Sequence, residues 1–119
     1  MSVAFDRVVR TGAALPDVEV ATRYDGAKVL KARGCFMAGI ATHESAEPDT
    51  LVVRSDPADR ELLLEDAPDT YYVTDYYRRY PLVLVRLSRI DAEALREVLT
   101  ISWRLTVVKA RRRSARVRR

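Results

Sequence analysis

The run "YYVTDYYRRYPLVLVRL", residues 71–87, holds five of the chain's six tyrosines, two adjacent arginines and then an apolar burst. Aromatic rings beside guanidinium groups form the kind of surface on which unpaired nucleobases stack. The same combination also covers the end of a sheet, with an arginine lying over a ring as a cation–π pair. Composition leaves both readings open for Tyr76 to Tyr80. A second candidate is "KARRRSARVRR", residues 109–119, which carries seven of the 21 basic side chains and no acid. A polybasic run is an electrostatic hook for phosphates or acidic surfaces. Without it 14 bases face 17 acids, a net charge of −3, so the basicity of the chain resides in its end. An arginine-rich end can also do no more than keep a chain soluble.

Other chemistries lack their parts. "GCFMAG" (34–39) places two glycines at phosphate-loop spacing, but Ile40 and Ala41 stand where Lys and Ser/Thr would have to follow. Cys35 and His43 are the only cysteine and histidine. They read as a small buried thiol on a strand and a loop histidine, with no third group to orient the imidazole. One Cys and one His do not make a zinc site, and a lone cysteine forms no disulfide within the chain. Glu61 and Glu65 lie one helical turn apart around Arg60 and read as a solvated face. No metal, no cofactor and no catalytic set is expected, so the chain reads as a non-enzyme.

These candidates must be positioned by a fold, and the chain is long enough for one domain. Nearly half of its 119 residues are apolar, so a core forms without disulfide or metal staples. No apolar run is long enough to span a bilayer. Asp6, Arg7 and Arg10 interrupt what a secretory signal would require, which makes a cytoplasmic location the expectation. Ser2 can cap a helix through about Thr11, closed by Gly12 and Pro16. Strands follow at 18–23, 27–32, 35–41 and 50–55, joined by turns at Asp25-Gly26 and Arg33-Gly34 and by a polar loop at 42–49. Asp56-Pro57 starts a helix that stops before Pro68. Residues 71–74 read as a strand, 75–80 as a loop and 81–88 as the most apolar strand. In that strand Val83, Val85 and Leu87 share one face and Leu82, Leu84 and Arg86 the other. Asp91 caps a last helix with Leu95, Leu99, Trp103 and Val107 at four-residue spacing. The order is helix, meander, helix, hairpin, helix: an α+β domain with an antiparallel sheet of about five to six strands and helices mainly on one face. The domain is assigned to residues 1–110 and a polybasic tail to 111–119.

"TDYYRRYPLVLVRL" followed by "DAEALREVLTISWRL" resembles the MmcQ/YjbR family of small bacterial proteins, commonly labelled DNA-binding. "ALPDVEVATRY", "LKARGCFMA" and "VVRSDPADRELLLEDAPDTYYVTDYY" extend the resemblance over most of the chain. It implies a CyaY-like fold with a twisted antiparallel sheet, two hairpins proposed to straddle DNA, and no catalytic residue set. The fold name is shared with iron-handling proteins that carry an acidic helix ridge; the first helix here offers only Asp6. Lys31 matches the family's basic strand position, Arg33 its hairpin tip, and Tyr77, Arg78, Tyr80 and Pro81 its loop pattern. Arg79 stands where the family usually has glycine, Tyr76 where histidine is common and Cys35 where lysine is frequent. The family's Ala-Pro-Lys after the last helix is absent, so nothing stops that helix from running on.

The expected partner is therefore DNA, held electrostatically and without regard to sequence. The candidate contacts are Lys28, Lys31 and Arg33 of the hairpin, Tyr77, Arg78, Arg79 and Tyr80 of the turn, and Lys109, Arg111, Arg112 and Arg113 of the tail. Glu44, Glu47 and Asp49 on the second hairpin loop would repel phosphates. The alternative is a non-catalytic interaction or homodimerising module, with Val52, Leu82 and Leu84 on a sheet face left open by the helices. No membrane partner is expected, and the chain is a monomer or a homodimer.

Overall fold

The computed structural model describes residues 3–117. Its elements are α1 (Val3–Ala13), β1 (Val18–Thr22), β2 (Lys28–Ala32), β3 (Cys35–Ile40), β4 (Thr50–Arg54), α2 (Pro57–Asp66), β5 (Tyr71–Tyr72), α3 (Asp75–Arg78), β6 (Leu82–Arg86) and α4 (Ala92–Val117). Six strands form one antiparallel sheet in the order β1-β2-β3-β4-β6-β5. The α+β class and the antiparallel sheet are as the sequence implies. Ser2, the expected first cap, lies outside the described residues. No helix among the described residues is long and apolar enough to cross a membrane.

The main core lies between the sheet and α1 and α4. It joins Phe5 and Val8 of α1 to Leu30, Met37, Leu51, Val53, Val83 and Val85 of the sheet and to Leu95, Leu99 and Val107 of α4. The alternation read for residues 82–87 holds, because Val83, Val85 and Leu87 enter this core while Leu82 and Leu84 enter a second cluster. Gly12 lets α1 approach β2 closely, since a Cβ there would collide with the Leu30 side chain.

Between β2 and β3 the register slips at Leu30/Lys31, leaving Met37 as an extra residue in β3. Such a bulge takes a backbone group out of the ladder. The buried Ser102 hydroxyl of α4 donates to the Met37 carbonyl at 2.9 Å, so the helix satisfies that acceptor. Trp103 fixes the other side of α4 by donating its indole N–H to the Pro16 carbonyl at 2.7 Å.

Three expectations are corrected. Residues 75–80 are not all loop: the Thr74 hydroxyl accepts the Tyr77 N–H and starts the four-residue helix α3. The strand read at 71–74 is only two residues long. The sheet face opposite α1 and α4 is not open either. Val52 and Leu84 are buried there beneath Tyr77, with Phe36, Tyr72, Tyr76 and Leu82 packed around them. The tyrosine-rich turn is the lid that this face needs, which removes the apolar surface proposed for a dimer.

Candidate nucleic-acid interface

Two surfaces collect the candidate residues. The first is a cationic end. α4 does not stop after Val107 but continues to Val117, carrying Lys109, Arg111, Arg112 and Arg113 on its last turns, all exposed. Cations there also complement the negative end of the helix dipole. The β2–β3 turn comes to meet them. Arg33 and Gly34 both have positive φ (51° and 81°), the backbone of the primed two-residue hairpin turns. The Arg113 guanidinium donates to the Arg33 carbonyl at 3.4 Å, joining positions 80 residues apart. The charge of Arg33 is partly spent nearby, because its Nε donates to Asp17 Oδ2 at 3.1 Å. Lys31 is half-buried and pairs across the ladder with Phe36. Lys28 is exposed but at the far end of β2, where it lines an apolar cleft of about 530 Å³ with Phe5, Val9 and Arg10. It does not join the cationic end.

The second surface is an aromatic groove of about 240 Å³ on the opposite sheet face. Phe36, Val52 and Leu82 line it together with His43, Tyr76, Tyr77, Tyr80 and Arg23. Tyr77 is the buried support of this arrangement and not a contact residue; it is 7% exposed and its hydroxyl accepts the His43 backbone N–H at 3.1 Å. The His43 ring stacks on Tyr76 with centroids 3.5 Å apart and planes 6° apart. His43 Nδ1 accepts the Ser45 N–H at 3.1 Å, which leaves Nε2 to carry the proton of the neutral ring. Tyr80 is exposed, tilted 53° from Tyr76, and the Arg79 guanidinium spans the two rings at 5.4 and 5.9 Å. The adjacent Tyr80 hydroxyl raises the pKa of the Tyr76 phenol above its ordinary value, so Tyr76 stays neutral in ordinary buffers. Arg78 is exposed and 4.0 Å from Asp75.

Two arginines that carried no signal in the sequence hold the groove in place. Arg60 of α2 donates one guanidinium nitrogen to the carbonyls of Arg78, Tyr80 and Leu82 at 3.4, 3.1 and 3.1 Å. Arg86 lies 4.3 Å over the Tyr72 ring, forks onto both oxygens of Glu47 at 2.9 and 2.8 Å, and reaches the Pro68 and Asp69 carbonyls. That hydrogen bond holds the Glu47 carboxyl below its usual range and raises the pKa of Arg86. Glu47, expected to repel phosphates, is therefore a neutralised part of the scaffold. Sequence reasoning also missed Arg23, whose guanidinium donates to the Ile40 carbonyl at 2.9 Å, and Phe36 as groove residues. Only the "YYRRY" composition pointed here. Among the described residues no three His, Cys, Asp or Glu side chains come together as a metal site.

The model of the YjbR family matches residues 13–105, most of the chain. The chain belongs to the YjbR family. It is 36% identical over 72 residues to the uncharacterized protein Rv2570 of Mycobacterium tuberculosis (strain ATCC 25618 / H37Rv) and to the uncharacterized protein Mb2600 of Mycobacterium bovis. Each match covers 57% of this chain and 56% of the relative, so the chain spans about half the length of these curated relatives. Its fold is similar to the crystal structure of Deinococcus radiodurans protein DR2400, of the DUF419 domain family, with a TM-score of 0.67 and 23% identity over 85% of this chain and 76% of that one. Within this YjbR-family chain the aromatic groove falls inside the matched region. The arginine-bearing end of α4 falls outside it.

Proposed function

We propose that this YjbR-family chain binds nucleic acid through its cationic end, by charge and without regard to sequence. The observation that carries this reading is the meeting of Arg113 with the Arg33 turn, which merges the polybasic helix end and the hairpin into one surface. Lys109, Arg111, Arg112 and Arg113 present four cations within five residues, with no acid among them. The helix fixes their backbone, so little backbone freedom remains to be lost on binding. The DNA-binding label implied by the family resemblance points the same way. Neutralising about five phosphates would give a log–log salt slope of roughly −4.5. A salt titration on random duplex DNA, with the full chain and with a chain ending at Ala110, tests this. The shortened chain is expected to lose most affinity and flatten the slope; unchanged binding rejects the reading.

A second reading, a homodimerising module, finds its support on α2 and α4. Leu62 and Ile101 are 57% and 39% exposed and line one small cleft with Leu63 and Val98. It predicts a dimeric mass in solution that Leu62→Glu reduces to a monomer.

A further inference from the structure

We infer that the aromatic groove takes one unpaired base of a single strand whose backbone runs to the cationic end. This rests on the nucleic-acid reading and adds to it the kind of strand and the place of its base. Three observations converge. The first is shape and chemistry: at about 240 Å³ the groove is below the size of most small-molecule pockets and suits a single flat ring. Phe36 and Leu82 line it, and Tyr80, at 41%, is the most exposed of its lining rings. The ring of Tyr76 is already occupied by His43, stacked in parallel at 3.5 Å, so Tyr80 is the ring left for a base. The second is charge. Arg79 lies over the Tyr76 and Tyr80 rings, 5.4 and 5.9 Å from their centroids, which keeps a guanidinium at the aromatic cluster and within reach of the phosphate of a bound nucleotide. Arg23 lines the same groove.

The third is continuity. Phe36 pairs with Lys31 across the ladder, and the Arg33–Gly34 turn that touches Arg113 follows directly. Phe36 lies two positions after Gly34, about 7 Å along the strand. That is the scale of one extended nucleotide, so Lys31, the turn and the end of α4 form a track along which a backbone can leave the groove. A duplex keeps its bases stacked inside and cannot fill the groove without unpairing.

The test measures anisotropy of a labelled single-stranded DNA oligonucleotide, the same strand with abasic sites throughout, its duplex, and a free nucleoside monophosphate. The protein is the full chain, together with Tyr80→Leu and Tyr24→Leu. Tyr80 is partly exposed and Tyr24 fully so, and Tyr24 does not line the groove. The base-bearing strand is expected to bind about tenfold tighter than the abasic one, the order a single base–aromatic stack supports. Tyr80→Leu should erase that advantage without changing the salt slope, because no phosphate contact is lost. Tyr24→Leu should leave it intact. Equal binding of the base-bearing and abasic strands overturns the inference while the charge-based reading stands. Equal loss in the two tyrosine variants overturns the assignment to this groove, and a monophosphate bound as tightly as the strand overturns the strand as occupant. No complex with any probe in dilute buffer overturns both readings together.

Discussion

At the end of α4, four cations in five residues project from one helix, and among the described residues only Arg113 of the four hydrogen-bonds beyond α4. In the aromatic groove the contacts are dense: Tyr77 is bonded to His43, His43 is stacked on Tyr76, and Arg60 gathers three carbonyls of the turn. The first surface depends on composition and on a helix to carry it. The second exists only if several distant pieces of chain arrive together. A charged end of this kind tolerates the exchange of one cation for another, whereas a packed groove is sensitive to single atoms.

Substitutions can separate the two. The largest effect is expected from ending the chain at Ala110. Contacts to several phosphates weaken by orders of magnitude between low and moderate salt, so the loss should be greatest in dilute buffer, with the thermal midpoint little changed because residues 111–115 are exposed. A collapse of the midpoint would show that the end also holds the fold. Next is Arg60→Ala, which removes the charged donor from the carbonyls of residues 78, 80 and 82. Hydrogen bonds to a charged group are worth about 1.5–3 kcal/mol, and urea denaturation should register a loss in that range. The salt slope of binding should stay as it was; a changed slope would join what the structure keeps apart. Tyr77→Phe deletes one hydroxyl and leaves the His43 N–H without its acceptor. About 1 kcal/mol is expected, with faster amide exchange at His43 and none at residues 109–113.

The smallest effect concerns Glu47. Its carboxyl lies below its ordinary value of 4.5 because Arg86 hydrogen-bonds the charged form. A carboxylate depressed in the folded state stabilises it above the unfolded value and loses that contribution as pH falls through the lower, folded value. Glu47→Gln should therefore lower the thermal midpoint slightly at neutral pH, with the gap to the parent closing below about pH 4.5. A gap that persists at lower pH would assign the difference to packing and not to charge.

Much of the fold is legible in local pattern. Asp56-Pro57 announces α2, and the Asp56 side chain does accept the Asp59 N–H at 2.7 Å. The alternation of Val83, Val85 and Leu87 against Leu82 and Leu84 sorts β6 between its two clusters. Leu95, Leu99 and Val107 mark the buried stripe of α4. The bulge at Met37 left no trace, because "CFMAGI" is apolar whichever way its residues face. α3 was hidden for a related reason: a four-residue helix is too short to show a period, and its cap, Thr74, ends an apparent strand. The groove was legible only as an excess of tyrosine and arginine. Which ring is buried, which is free and which arginine holds the turn depends on contacts between residues 18 to 34 positions apart, such as Arg60 to Arg78 and His43 to Tyr77.

The bond from Trp103 to the Pro16 carbonyl places the only tryptophan on α4 ten residues, about 15 Å, before Arg113. The chain thus has a built-in optical gauge midway between its buried core and its charged tip. Excited selectively, that indole reports the state of the α4–Pro16 joint without any label. A ligand gripping the arginines and rotating the helix would register as a spectral shift, and one that merely coats them would leave the emission unmoved.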